Sequence, residues 1–465
     1  MIDTVALRIK TLKQAMSGKL SEQKSEDGEA IPEGIVVSDS SADENAYAIP
    51  TSWRWVRVKD VVAKDVGGGT PSKAVPEYWN NGEISWATVK DFSNSENGYI
   101  NETIDHITQE GLENSSANMV DEEAIVVCMR MALGKIVRVA KTMAINQDLR
   151  ALWLKSFVEQ DYFVYFYKTL KVEGRGTTVA GIKKDELMNY AFPVPPVKEQ
   201  RRIIEKVNSI FEQLDIIDDL QLQYASDLEA LKSKIIDAGI QGKLTKQLPE
   251  DGTAEELLEQ IEIQKNTILK NRKGRVDKKI KAIDGDFPYE IPSHWKWIRF
   301  GNIGLFKKGP FGSALTKSMF VPKGKNTVKV YEQQHAINKD NTLGTYYITR
   351  EYFDDSMSGF EVLPGDIIVS CAGTIGETYI MPDDIEQGII NQALMRVTLA
   401  EGVNRKFFQY YFDANLKKSA QNESNGSAIK NIPPFDVMKN WYFPIPPLEE
   451  QKRIVEKIEN ILTLL

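Results

Sequence analysis

A nucleophile or a metal site in this chain would have to be built from Cys128, Cys371, His106, His294 and His335, because 465 residues hold only two cysteines and three histidines. Both cysteines close apolar runs, AIVVC and DIIVSC, where a thiol acts as a small buried hydrophobe. No histidine stands at motif spacing from a cysteine or serine. His294 lies in IPSHW, where a second copy of the element has Ser52, so its role reads as structural. Two cysteines supply neither a disulfide framework nor zinc spacing. No catalytic residue and no metal ligand is therefore assigned.

Two strings tempt a cofactor reading. NIPPF at 431–435 resembles the N-P-P-[FY] segment of amino-methyltransferases, but Ile432 interrupts it. No glycine-rich turn follows a strand to seat a nucleoside, and GGGTPSK at 67–73 lacks the G-x-x-x-x-G-K-[ST] spacing of a phosphate loop. What remains is recognition chemistry. Base edges are read by Arg, Lys, Asn, Gln, Ser and Thr, and phosphates by Lys, Arg and backbone amides in Gly-rich loops. The candidates for DNA binding are Thr70, Ser72 and Lys73 in the Gly-rich loop, then Lys90, Arg130, Arg175, Thr177 and Lys183. In the second half they are Lys307, Lys308, Ser313, Lys317, Gln333, Gln334, His335, Asn425, Ser427 and Lys430. Residues 299–331 carry Arg299, Lys307, Lys308, Lys317, Lys323, Lys325 and Lys329 without one acid. The whole chain nevertheless has a net charge of −8, which excludes a protein that coats nucleic acid by bulk electrostatics.

The elements that must position these residues occur twice. IPTSWRWVRVKDV at 49–61 returns as IPSHWKWIRFGNI at 291–303, and AIVVCMRMALGKI at 124–136 aligns with DIIVSCAGTIGET at 366–378. INQ recurs at 145 and 390, and FPVPPVKEQRRIIEKVNSI at 192–210 returns as FPIPPLEEQKRIVEKIENI at 443–461. GKLSEQKSEDGEA at 18–30 matches GKLTKQLPEDGTA at 242–254. Such a period defines the architecture before any local detail.

From Pro196 onward a heptad seam runs through Ile203, Val207, Ile210, Leu214, Ile217, Tyr224, Leu228, Leu231 and Ile235, with Gln221 its one polar position. Gly239 and Gly242 mark the end of a helix of about 40 residues, or roughly 60 Å. The seam resumes at Ile454, Ile458, Ile461 and Leu465, and the first helix offers Val5, Ile9, Leu12 and Met16. Helices 1–17 and 449–465 together stand in for a second copy of the central helix; they fall short of it by about six residues, which leaves open whether the chain's C-terminal helix is whole. The expected fold class is α+β: two mixed α/β domains joined by long antiparallel coiled-coil helices, with a pseudo-two-fold internal repeat. The expected order is a helix at 1–17, a linker at 18–48, a domain at 49–194, the long helix at 195–241, a linker at 242–290, a domain at 291–445 and a helix at 446–465.

FPVPPVKEQRRI, FPIPPLEEQKRI, IQGKL at 240–244, GGGTPSK with EYWNNGEISW, and NGSAIKNI with GRGTTVAGI together resemble the specificity subunit of a type I restriction-modification system, over nearly the full length. The resemblance implies two target recognition domains that each read half of a split duplex DNA site. It also implies helices that set the spacer and dock two modification subunits, and restriction subunits that cleave unmodified DNA. S-adenosylmethionine, ATP and Mg belong, on that reading, to the partners, which methylate adenine N6, and none to this chain. The alternatives are a stand-alone DNA-binding regulator and an autonomous enzyme. No apolar run is long enough to be a signal peptide or membrane span, so a cytoplasmic location is expected.

Overall fold

The computed structural model describes residues 1–38, 40–41, 47–95, 98–172, 174, 181–272, 280–423 and 432–465, with side chains for all of these except 417–423. Two compact units emerge, Met1–Gln223 and Tyr224–Leu465.

The first unit opens with helix α1 (Thr4–Met16). Strands follow: β1 (Arg54–Arg57), β2 (Val62–Gly67), β3 (Ile84–Ala87), β4 (Tyr99–Ile100), β5 (Asp105–Ile107), β6 (Asn118–Val120), β7 (Ile125–Cys128), β8 (Ile136–Val139), β9 (Met143–Ile145) and β10 (Leu149–Leu154). Helix α2 (Gln160–Tyr167), strand β11 (Ala191–Val194) and the 44-residue helix α3 (Val197–Ile240) complete it, α3 running on into the second unit. The second unit adds α4 (Ala254–Asn271), β12 (Lys296–Arg299), β13 (Gly304–Lys308), β14 (Thr327–Tyr331), α5 (Gln333–Asn338), β15 (Tyr347–Thr349) and β16 (Glu361–Val362). Its last elements are β17 (Ile367–Ser370), β18 (Thr378–Ile380), β19 (Gly388–Ile390), β20 (Leu394–Leu399), α6 (Arg405–Glu423), β21 (Tyr442–Ile445) and α7 (Leu448–Leu462).

The repeat in sequence is a repeat in topology. The first unit has sheets ordered β2-β10-β7-β8-β4 and β5-β3-β9-β6, and the second has β13-β20-β17-β18 and β15-β14-β19-β16. Each holds an equivalent parallel pair, β3 with β9 and β14 with β19, matched at Ala87↔Ile145 and Tyr331↔Ile390, and the first unit adds a second parallel pair, β4 with β8. Strand alternation sorts the core. Ile125, Val127 and Leu152 face Tyr162, Phe163 and Phe166 of α2, while Val126, Cys128 and Ala151 face Ile145 and Ala87 of the other sheet.

The recurring motifs form one clamp, built twice. β1 pairs with β11 and β12 with β21, so each WxW run lies against its FPxP run, with Trp55 opposite Pro193 and Trp297 opposite Pro444. The buried Trp53 donates its indole N–H to Glu199 Oε2 (2.9 Å), and Trp295 does the same to Glu450 Oε2 (3.0 Å). Gln200 Nε2 donates to the carbonyls of Phe157 and Pro195, as Gln451 does to those of Gly402 and Pro446. Arg202 grips Asp27 with two bonds (2.7 and 2.5 Å), and Arg453 grips Asp251 (2.5 and 2.7 Å). Gly18 and Gly242 take φ of +68° and +73° against Pro50 and Pro292, where a Cβ has no room. Buried polar groups persist only when bonded, so E-Q-x-R must recur wherever the helix is fastened to its sheets.

Three expectations need correction. Residues 242–290, read as a linker, contain α4, which Thr253 caps at Glu256 N (3.2 Å) and which buries Leu257 and Ile261. Those residues repeat at helical spacing, a signal outweighed by the charged surroundings. In α1 the buried set is Thr4, Thr11, Leu12, Ala15 and Met16, leaving Val5 and Ile9 exposed. Its first turns meet α3 through polar bonds: Thr4 Oγ1 to Asp218 (2.6 Å) and Arg8 to Asp215 and Asp218 (2.8 and 3.0 Å). Gln221 exchanges bonds with the backbone of Ile2 (2.6 and 3.2 Å), so α1 runs antiparallel to α3. Along the seam Ile203, Val207, Leu214, Ile454 and Ile458 are buried and Ile210, Ile217, Leu228, Ile235 and Ile461 half-buried, but Tyr224, Leu231 and Leu465 are exposed. Apolar spacing gave the helix but not the extent of its cover.

Candidate nucleic-acid interface

In the first unit β2, β3, β7 and β9 all end at one edge, so the loops after them converge. Gly68 and Gly69 let the first loop cross close to the others: a Cβ on Gly68 would overlap the carbonyl oxygens of Ile145 and Asn146, and one on Gly69 would overlap Ser116. Thr70 Oγ1 then bonds the side chain of Gln147, and Trp79 Nε1 holds the carbonyl of Ser72 (3.1 Å). Thr88 is fixed by Asp91, which accepts from its amide (2.7 Å) and hydroxyl (2.9 Å). The loop after β7 is tied to the next segment by Ile182 N to the carbonyl of Met129 (3.0 Å) and by a bridge between Arg130 and Gly181.

Between these loops lies a cleft of about 450 Å³ whose walls include Thr70, Lys73, Lys90, Met131, Lys135 and Gln147. Asp105 and Asp148 also border it, and the Asp148 carboxylate is engaged by Arg130 Nε (2.7 Å), so the three lysines outnumber the acids that line it. Met131 stands at φ +68° and is 67% exposed, which costs about 1–2 kcal/mol in backbone strain for a non-glycine residue. Gly373, its aligned partner, has the same φ.

The second unit repeats the edge with other residues. Gly309 packs on the carbonyl of Asn391, Gln333 Nε2 bonds the carbonyl of Ala372, and the amide of Cys371 donates to the carbonyl of Ala393 (2.8 Å). Ile432 N reaches the Cys371 carbonyl (3.3 Å), as Ile182 does in the first unit.

Thr70, Lys73 and Lys90 thus line one cleft, with exposed Ser72, Arg130 and Lys183 on its contributing segments. Lys308, Ser313, Lys317 and Gln334 are exposed in the second unit. Lys307 departs from them: it sits 4.8 Å from the Phe360 ring centre and lines a separate cavity of about 770 Å³ with Arg272 and Arg396. Strand alternation sends Lys307 and Lys308 to opposite faces. His335 is corrected outright. It is fully buried, accepts from the Glu332 amide (2.8 Å) and approaches the Leu343 carbonyl (2.7 Å), and burial holds its pKa below the usual value. Its ring nitrogens are committed to backbone groups, which shape α5. Arg175, Thr177, Asn425, Ser427 and Lys430 lie outside the described residues.

The basic run 299–331 also thins. Arg299 is buried against Asp284 and Tyr442, Lys329 donates to the Asn341 carbonyl (2.6 Å), and Lys323 pairs with Glu386 (2.9 Å). Burial pushes the thiols of Cys128 and Cys371 up to about 12 and about 11, so neither is a ready nucleophile. Among the described residues no cluster of His, Cys, Asp or Glu could hold a metal, and no helix is long and apolar enough to cross a membrane. Lys135, Gln147 and Met131 were missed from sequence. Gln147 carried a signal, since the repeated INQ sets it beside the Gly-rich loop.

Residues 50–223 and 293–464 each match the family model for the type I restriction modification DNA specificity domain. The specificity subunit of the Escherichia coli type I restriction enzyme EcoR124I/EcoR124II is 30% identical over 160 residues, 31% of this chain and 37% of that protein. The EcoEI specificity subunit of the same organism is 19% identical over 493 aligned positions, 90% of this chain and 79% of its own. In the first comparison, therefore, the match spans little more than a third of the relative. The fold is similar to that of a chain solved in work on complex assembly and conformational transition of the type I R-M system, with a TM-score of 0.58, 18% identity, and 90% and 92% of the two chains covered.

Proposed function

This chain belongs to the type I restriction-modification DNA specificity family, and from that premise we propose that it directs a methyltransferase and endonuclease complex to a bipartite duplex site, each unit reading one half. The observation that carries the reading is the duplicated edge. Two units of one topology bring equivalent loops together at equivalent strand ends, while the side chains on those loops differ. Different side chains on one scaffold read different half-sites, and a split, asymmetric target follows.

Within each edge the work divides by chemistry. Lys73, Lys90 and Lys135 in the first unit, and Lys308 and Lys317 in the second, bind phosphates and hold the register. Gln147 and Thr70 offer donor and acceptor atoms to base edges in the major groove. With a net charge of −8, much of the phosphate affinity must come from the partners. Those partners are two modification subunits, which bind S-adenosylmethionine and methylate adenine N6, and restriction subunits, which use ATP and Mg. Helix α3, about 66 Å long for its 44 residues, sets the spacer between half-sites. The chain supplies specificity and assembly, not bond-making.

The test is methylome sequencing of cells carrying this chain with its neighbouring modification subunit, against cells lacking only this chain. N6-methyladenine at one split motif, lost with the chain, is the expected result. Methylation unchanged without it would overturn the proposal and favour a stand-alone DNA binder.

A further inference from the structure

Phe311 is 88% exposed, the most exposed aromatic side chain among the described residues. Exposing a whole ring forfeits about 2 kcal/mol of burial, so its setting is informative. Phe311 is not on a loose loop. Gly309 N donates to the Leu394 carbonyl (2.9 Å), Pro310 is buried, and Ala314 N closes a turn on the Phe311 carbonyl (2.8 Å). Tyr352 pins that turn through the Ala314 carbonyl (2.5 Å), and Leu315 anchors it in the core. The ring is displayed from a fixed base.

Its surroundings select the ligand. Lys308, Ser313 and Lys317 are exposed on the same segment, which holds no acid between 299 and 331. From 309 to 319 no other large apolar side chain is exposed, so this segment adds no second apolar group of the kind that builds the core of a protein interface. One ring among cations suits stacked bases behind a phosphate backbone. The register sharpens the contrast. Gly68 N bonds the Leu149 carbonyl as Gly309 N bonds Leu394, which puts Thr70 where Phe311 stands, and Thr70 is tied to Gln147.

We infer that Phe311 stacks on a base in the half-site read by the second unit, inserting at a base step, with no such contact from Thr70 in the first unit. This rests on the reading of the chain as a DNA specificity subunit. The experiment uses the assembled complex with its modification subunits, bound to target duplexes carrying 2-aminopurine at single positions of either half-site. For the native complex, a fluorescence change is expected at one position of the second unit's half-site. Phe311→Ala should abolish it and weaken target binding about 10- to 100-fold, while Phe311→Trp stays within about threefold of native. Lys308→Ala should weaken binding in a salt-dependent way and keep the fluorescence change. Phe311→Ala binding within twofold of native with the signal intact would overturn the inference, as would a Phe311→Ala defect confined to subunit assembly. A native complex that fails to bind any split target would instead sink the underlying reading.

Discussion

Arg202→Ala removes the arginine that fastens α3 to the segment after α1. Arg202 gives Asp27 two charge-assisted bonds, at 2.7 and 2.5 Å, and a third bond to the Glu22 carbonyl at 3.0 Å. The Asp27 side chain is 2% exposed, so truncating its partner strands a buried carboxylate. Breaking a buried ion pair in this way costs about 3–5 kcal/mol. Because Arg202 itself is 28% exposed, water entering from its side reduces the loss to about 2–3 kcal/mol. Urea unfolding read by the fluorescence of buried Trp53, beside Glu199 in the same clamp, should show that loss in the first unit. Arg453→Ala should produce the mirror result in the second. The pH dependence follows from the hydrogen bond from Arg202, which holds the Asp27 carboxyl below the usual carboxylate range. A depressed folded pKa contributes stability above the unfolded value, near 4, and the contribution is lost as pH falls through the folded value. The gap between native and Arg202→Ala protein should therefore narrow below about pH 4. A loss under about 0.5 kcal/mol, or equal losses in both units, would refute the account of the clamp.

Three further outcomes are expected. Lys135→Ala should weaken binding of the assembled complex on all duplexes alike and reduce the slope of log K against log salt by about 1, measured by titration at several salt concentrations. Gln147→Ala should relax the methylome motif at one position of one half-site, with about 1–3 kcal/mol of discrimination lost there and the other half unchanged. Removing four residues around Gln221 shortens α3 by about 6 Å, close to two base pairs, and turns its two ends by only about 40°. An unchanged spacer in that variant's methylome would end the ruler idea.

How much of this could be read beforehand depends on what kind of force fixes each feature. The duplicated architecture was legible because the clamp is obligatory chemistry: a buried Glu199 or Glu450 must meet an indole, and a buried Gln200 or Gln451 must meet carbonyls, so the same letters recur. Helix α3 was legible from its heptads. The cover along it was not, because α1 meets it through Thr4 and Arg8, which no apolar pattern counts. Charge was the least legible. A run without acids looked uniformly basic, yet Arg299, Lys323 and Lys329 find partners at Asp284, Glu386 and Asn341, up to 63 residues away in sequence. His335 failed for the same reason, since only the fold reveals the Leu343 carbonyl facing it.

The clamp and the loop edge thus obey different rules. In the clamp a substitution strands a buried charge or carbonyl and costs several kcal/mol, so both copies are held to one solution. At the loop edge the glycines at 68 and 309 are equally constrained, because backbone from the next loop fills the space a Cβ would need. The side chains between those fixed points reach the surface, and they differ between the copies: the half-buried Thr70 in one is the exposed Phe311 in the other, and Met131 is Gly373. Met131 is the informative exception, since it keeps a left-handed backbone that glycine occupies without strain in the sister unit. If contact with a ligand offsets that cost, on the wall of a lysine-lined cleft, the side chain serves binding and not folding. Met131→Gly should accordingly leave the unfolding free energy within about 1 kcal/mol of native while weakening binding to the first unit's half-site. A variant with lower stability and native affinity would show instead that Met131 serves the fold.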